Sequence, residues 1–315
     1  MKQLNEKLVE LQAWAAEVLP AMSLRQDVPM CRYTTLHLGG PADLLAEPQN
    51  KEELSDLLRQ AQRLDLPVTV FGRGSNLLVL DGGIRGLVIH TTGAMRMISV
   101  EGCMLRAQAG ASMSAVSRAA AENDLVGLAF ASGIPGSIGG GVIMNAGAYD
   151  GEIGPHVALV EGVDLSGEPF VLAPDSLHFS YRHSDFTHGN RIVTDVTLCL
   201  QPGDGQAELA KADAFNRRRA DKQPLTEASA GSTFKRPVGG YASALIDGCG
   251  LRGFAVGGAS VSEKHAGFLI NRGDSSADFV ALMQAVQQRV EAETGIRLEP
   301  EVRIVGEPAA EGGRA

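Results

Sequence analysis

Two glycine-rich stretches are the first places where residue types and spacing could do chemistry. One is Gly72-Arg73-Gly74-Ser75-Asn76; the other is Gly133-Ile134-Pro135-Gly136-Ser137-Ile138-Gly139-Gly140-Gly141, followed closely by Asn145-Ala146-Gly147-Ala148. Glycine lets successive backbone N–H groups converge on an anion without a Cβ in the way. The same composition also suits a tightly packed buried loop, although ordering so many glycines costs conformational entropy. Recurrence within one chain favours the ligand reading: both stretches build one site for a phosphate-bearing cofactor, and the chain is an enzyme.

The elements around the first stretch restrict the kind of site. Val68–Phe71 and residues 77–80 are short and β-prone, so Gly72 to Asn76 joins two strands. A dinucleotide fingerprint needs a strand, three spaced glycines and then a helix, and here the third glycine is missing. A Walker loop fails as well, because no Gly-Lys-Ser/Thr follows either run. A backbone nest remains.

Periodicity supplies the scaffold. Leu4, Leu8, Leu11 and Trp14 predict an amphipathic helix over 1–20. Asn50 with Glu53 resembles a capping box ahead of Leu54, Leu57, Leu58, Ala61 and Leu64, and Pro67 ends that helix. Further helices are predicted over 112–123, from Gln206 to the basic run Arg217-Arg218-Arg219, and over 276–294 with a stop at Gly295. Strands are predicted over 191–200 and 301–305, and a disordered tail over 306–315.

Composition bounds the rest. With 315 residues, 44% hydrophobic and 21% charged, the chain reads as an ordinary soluble protein. A net charge of −9 argues against a nucleic-acid or anionic-membrane partner. Cys31, Cys103, Cys199 and Cys249 are scattered, which suggests a reducing compartment, and a cytoplasmic location is expected. No apolar run reaches the ~20 residues of a membrane span. His178, His183 and His188, five residues apart, share neither a helix face nor a strand face, so no metal site is expected.

Tyr33-Thr34-Thr35-Leu36-His37-Leu38-Gly39-Gly40, residues 71–79 and 133–148, Tyr181-Arg182-His183-Ser184-Asp185-Phe186, residues 231–237 and Leu298-Glu299-Pro300-Glu301-Val302-Arg303 occur in one order. Together they resemble the UDP-N-acetylenolpyruvoylglucosamine reductase family over nearly the whole chain. The resemblance implies an α+β fold: a two-subdomain FAD-binding region of the vanillyl-alcohol oxidase (PCMH) type plus a C-terminal α/β substrate-binding domain. The expected divisions are 1–20, 21–91, 92–205, 206–305 and a tail from 306. The implied reaction is NADPH-dependent, FAD-mediated reduction of an enolpyruvyl UDP-sugar, a peptidoglycan precursor. Flavin N5 would deliver hydride to the terminal carbon.

By the same resemblance Arg182 is the cationic clamp for charge developing beside the substrate carboxylate, a task suited to a fixed guanidinium. Ser232 is the proton donor, and without the resemblance it would read as a turn serine. Glu301 is the third catalytic position, and beside a substrate carboxylate it needs a proton or a cationic partner such as Arg182. Gly72, Arg73, Gly74, Ser75, Asn76, Gly133, Ile134, Pro135, Gly136, Ser137, Gly140, Asn145, Ala146, Gly147 and Ala148 are the FAD candidates. Lys235, Arg252, Lys264 and His265 are candidates for the anionic UDP. Phe186 is followed within five residues by Arg191, so the tyrosine-bearing insertion of some members is absent, as in a shorter subtype. His37 and His90 are the only histidines before Gly133 and neither adjoins the first glycine loop, so FAD is expected to bind non-covalently. A monomer is expected. The rival readings are a different flavin oxidase or dehydrogenase of the superfamily, and a non-catalytic nucleotide-sugar binder.

Overall fold

The computed structural model describes residues 2–187 and 189–310, so His188 and residues 311–315 of the expected tail lie outside it. The chain divides into two compact units, each assembled from separate stretches of sequence. The first takes in 2–26, 44–73 and 86–217, and the second takes in 27–43, 74–85 and 218–310.

The helix Lys51–Arg63 begins where its cap predicts, since the Asn50 side chain accepts from the Glu53 N–H. Its apolar stripe, Leu54, Leu57, Leu58 and Ala61, is buried with Leu8 and Leu11 of the helix Lys2–Val18 in one core of the first unit. A sheet ordered Ser23–Pro29, Pro41–Glu47, Ile84–His90, Val68–Phe71 accompanies that core. A second core in the same unit lies against a five-stranded antiparallel sheet, ordered Pro169–Leu172, Val157–Asp164, Arg191–Cys199, Met104–Gln108, Ile98–Glu101.

The second unit pairs Ala228–Ser229, Leu269–Asn271, Ala259–Val261 and Ala255–Val256 in that order. Its core receives Phe279, Leu282, Met283, Val286 and Val290 from the helix Ser276–Thr294. Gly295 ends that helix at φ 72°, the left-handed stop that glycine adopts without a Cβ clash. A parallel pair, Leu77–Val79 with Arg303–Val305, completes the unit.

The two compact units follow the expected divisions only in part. The helix Gly205–Lys222, which starts at the expected division at 206, lies in the first unit as far as residue 217. Its buried Glu208 is bound there, accepting from the N–H groups of Gly127 (2.9 Å) and Ala129 (2.7 Å). Residues 27–43 and 74–85, ahead of the expected division at 91, group with the C-terminal stretch 218–310. The tail is not disordered from 306: Glu307 exchanges backbone hydrogen bonds with Gly82 and Gly83 (2.8 and 2.9 Å). Sequence polarity alone could not reveal that partner.

Among the described residues no helix is long and apolar enough to cross a membrane. No three His, Cys, Asp or Glu side chains among them gather as metal ligands.

Candidate active site

In the first unit, the strand Val68–Phe71 runs directly into Gly72. Only glycine fits there, since the Ser137 hydroxyl occupies the space a Cβ would take and a Thr92 methyl lies 3.8 Å from it. Ser137 is buried and caps the short helix Ile138–Ile143. The glycine run thus enters a helix rather than remaining a loop, and its members divide. Gly139 and Gly141 are packing glycines, as added Cβ atoms would meet Ala109 at 2.8 Å and the Met113 sulfur at 2.7 Å. Gly140 faces no atom except the Ser137 hydroxyl at 3.4 Å. Gly72 and Ser137 pack together beside the open face of Gly140, and this Cβ-free surface is a cradle that fits close approach of FAD.

The segment after this helix meets the turn that carries Arg182. The half-buried Arg182 donates from Nη2 to the Gly147 carbonyl at 3.1 Å, and its guanidinium lies 5.1 Å from the centre of the Tyr181 ring. The buried Asn145 side chain is spent on protein groups, so only its backbone is left to face a cofactor.

A buried polar chain that the sequence did not signal lies behind Gly72. His90 stacks on Phe71 with centroids 4.7 Å apart, and its Nδ1 lies 2.7 Å from Glu47. Its Nε2 is hydrogen-bonded to the Thr92 hydroxyl. Burial lowers the His90 pKa below the ordinary 6.5, outweighing the Glu47 carboxylate that acts to raise it. Burial also acts to raise the Glu47 pKa, but the His90 hydrogen bond and the Arg25 charge bring it below 4.5. Glu47 and His90 end neighbouring strands, Pro41–Glu47 and Ile84–His90, so only knowledge of the pairing could have found them.

In the second unit, the loop continues through Gly74 at φ 62°, where a Cβ would collide with the Tyr33 carbonyl. Asn76 then donates to the Glu301 carbonyl at 3.1 Å, and the Arg303 N–H donates to the Asn76 carbonyl at 3.1 Å. The chain facing Glu301 on its other side is the Ser232 segment. The Glu301 N–H donates to the Thr233 carbonyl (2.8 Å) and the Lys235 N–H to the Glu299 carbonyl (2.8 Å). Thr233 is locked further, with its N–H on Gly267 (3.0 Å) and its hydroxyl accepting from the Leu269 N–H (3.2 Å). Ser232 itself is exposed, between this anchor and Gly231 at φ 78°. Ser232 and Glu301, read separately from the sequence, are thus brought to one paired segment.

The UDP candidates differ in what occupies them. Lys235 pairs with Glu299 at 2.5 Å. Arg252 forks onto Asp247 (2.5 and 2.9 Å) and donates to the Glu263 carbonyl (2.6 Å), and the Asp247 hydrogen bond raises its pKa. Lys264 donates to the Ala220 carbonyl at 2.5 Å. His265 accepts from the Gly267 N–H at 3.2 Å, and burial lowers its pKa.

Known proteins resemble the chain over most of its length. Residues 42–169 match the model of an FAD binding domain. Residues 223–305 match the C-terminal domain of UDP-N-acetylenolpyruvoylglucosamine reductase. The reductase of Levilactobacillus brevis is 46% identical over 293 residues, covering 93% of this chain and 96% of that protein. The reductase of Caldanaerobacter subterraneus is 42% identical over 292 residues, covering 92% and 96%. The crystal structure of the Thermus caldophilus reductase superposes with a TM-score of 0.77 at 35% identity, covering 90% of this chain and 99% of that one.

An FAD-binding domain followed by the C-terminal domain of this reductase defines an FAD-dependent oxidoreductase of mixed α and β structure. The chain belongs to the UDP-N-acetylenolpyruvoylglucosamine reductase family, and its reaction is the reduction of that enolpyruvyl UDP-sugar in peptidoglycan synthesis.

Proposed function

We propose that NADPH is the reductant and that Arg182, Ser232 and Glu301 carry the reaction on the substrate. FAD, held at Gly72, Ser137 and Gly140, would supply the hydride chemistry that links NADPH to the terminal carbon of the enolpyruvyl group. Charge then develops on the carbon next to the substrate carboxylate. Arg182 holds that carboxylate through a planar, permanently charged fork. Ser232 gives its hydroxyl proton to the carbon, a transfer that runs downhill because the carbon's conjugate base is far more basic than an alkoxide. Glu301, carrying a proton or set beside a cation, supports the charge at that end.

The observation that carries this reading is the Ser232 segment: an exposed hydroxyl beside a locked Thr233, in backbone contact with Glu301. Support for FAD comes from the cradle at Gly72, Ser137 and Gly140. Arg73, Ser75, Gly133, Ile134, Pro135, Gly136, Ala146 and Ala148 complete the proposed cofactor contacts, and Lys235, Arg252, Lys264 and His265 the nucleotide contacts. FAD is proposed to be non-covalent, the protein cytoplasmic and monomeric, and the chain a member of the shorter subtype.

The test is to mix the FAD-loaded protein with NADPH and the enolpyruvyl UDP-sugar and to follow NADPH absorbance. Substrate-dependent oxidation is expected, and its absence overturns the reading. Acid precipitation of the same sample should leave a colourless pellet; yellow protein would disprove non-covalent binding.

A further inference from the structure

Eight non-glycine residues among those described have positive φ, and half of them lie around Arg182. These are Asn145 (41°), Tyr149 (51°), Asp150 (64°) and Arg182 itself (54°). Side-chain-bearing residues adopt this region only when their surroundings force it, at a cost of about 1–3 kcal/mol each. Tyr149 and Asp150 form the two-residue turn joining Gly147–Ala148 to Gly151–Glu152, a place usually given to Asn-Gly. That turn is held from outside: the Tyr149 ring stacks on Phe215 at 4.2 Å, and its hydroxyl donates to the Phe215 carbonyl at 3.0 Å.

Asn145 ties this strained hairpin to the arginine turn. It is 1% exposed. Its Oδ1 accepts from the Gly154 N–H at 2.9 Å, which fixes the orientation of the amide because an N–H can only donate. Its Nδ2 donates to Glu152 Oε2 at 2.9 Å and to the Ser180 carbonyl at 3.1 Å. Ser180 and His183 exchange two backbone hydrogen bonds of 3.1 Å, closing the turn whose tip is Tyr181-Arg182. Asn145 therefore grips one foot of that turn, and Gly147, two residues on, receives the Arg182 guanidinium.

We infer that Asn145 is a positioning residue for the reduction: through the Ser180 carbonyl and the Gly147 segment it sets where the Arg182 fork sits. This rests on the reading of Arg182 as the carboxylate clamp. Asn145 makes its contribution without touching substrate, and misplacement of the fork by about 1 Å suffices to slow the step up to about 100-fold.

Asn145→Asp is the informative variant. It is isosteric and keeps the acceptor for Gly154, but it replaces the donor to Ser180 and Glu152 with a carboxylate oxygen. In the FAD-loaded enzyme, flavin reduction by NADPH and the FAD dissociation constant should stay within about threefold of wild type. Reoxidation by the enolpyruvyl substrate, followed by flavin absorbance in a stopped-flow instrument, should slow by about 10- to 100-fold. Adding Glu152→Gln supplies a donor to the new carboxylate, so the melting temperature should recover while reoxidation stays slow. Asn145→Asp placed on Arg182→Lys should add little further loss, because both act on one contact.

Normal reoxidation in Asn145→Asp beside slow reoxidation in Arg182→Lys overturns the inference and leaves the Arg182 reading intact. Equal slowing of both half-reactions, or loss of FAD, also overturns it by making Asn145 a cofactor or folding residue. Normal reoxidation in Arg182→Lys removes the Arg182 reading and the inference with it.

Discussion

The side chain of Asn76, read from the sequence as part of an anion-binding loop, donates to the carbonyl of Glu301 at 3.1 Å. The two residues are 225 positions apart. Glu301 is thereby held on both sides of its backbone, with its N–H on Thr233 and its carbonyl on Asn76. Within the second unit, the end of the loop from Gly74 to Asn76 and the backbone of Glu301 are thus tied together. Asn76→Ala removes this donor from the half-buried Glu301 carbonyl, a loss of about 0.5–1.5 kcal/mol. Turnover with the enolpyruvyl substrate should fall more than FAD affinity does, which steady-state kinetics and flavin fluorescence titration would show. A fall in FAD affinity alone would mean that Asn76 serves only the cofactor.

Ser232→Ala tests the proton donor. Reduction of the flavin by NADPH needs no carbon protonation, so that half-reaction should keep its rate. Reoxidation by the enolpyruvyl substrate should slow by about 100- to 10,000-fold, the usual contribution of a positioned general acid. Equal slowing of the two half-reactions would reduce Ser232 to a structural turn residue between Gly231 and Thr233.

Local elements were legible because their signals are local. The Asn50 cap and the Gly295 stop fall where composition places them. Long-range partnerships were not legible. Nothing in residues 133–141 distinguishes Gly139 and Gly141, which pack on Ala109 and Met113, from Gly140, which stays bare. The periodicity that starts a helix near 206 likewise does not reveal that Glu208 and Phe215 are bound to groups 66–81 residues earlier. The Glu307 pairing with Gly82 and Gly83 is likewise invisible to composition. Ser232 and Glu301 became visible through family resemblance, since a lone serine in a Gly-Ser-Thr turn and a lone glutamate in a strand carry no chemical signal of their own.

Gly74→Ala addresses the loop itself. At φ 62° an alanine is strained by about 1–3 kcal/mol, and its Cβ would also run into the Tyr33 carbonyl, which cannot swing aside as a side chain could. The variant should melt lower and retain less FAD on gel filtration. Gly140→Ala makes the contrast, because its Cβ meets only the Ser137 hydroxyl at 3.4 Å within the protein. It should fold with near-normal stability yet bind FAD more weakly. Normal FAD binding in Gly140→Ala would show that its bare face is not where the cofactor lies.

Buried His90 and its half-buried partner Glu47 make stability depend on pH. Burial holds the folded His90 pKa below 6.5, so above that value both folded and unfolded states are neutral and its contribution is complete. As pH falls from about 6.5 towards the lowered folded value, the unfolded chain gains the proton first and the folded state loses stability. Glu47 acts in the same direction at lower pH. Its folded pKa lies below 4.5, so its contribution is present above that value and is lost as pH falls through the folded pKa. His156 and His265, also lowered by burial, add to the upper window. Melting temperature should therefore decline on acidification from pH 7 to pH 5. His90→Gln removes one titrating group while retaining a carboxamide able to reach Glu47 or Thr92, and the decline should become shallower in that interval. Because His90 stacks on Phe71 immediately before Gly72, the same variant should weaken FAD binding at pH 7 through the altered stack. An unchanged slope would show that His90 shares its titration with the unfolded chain and that its burial has no consequence for stability.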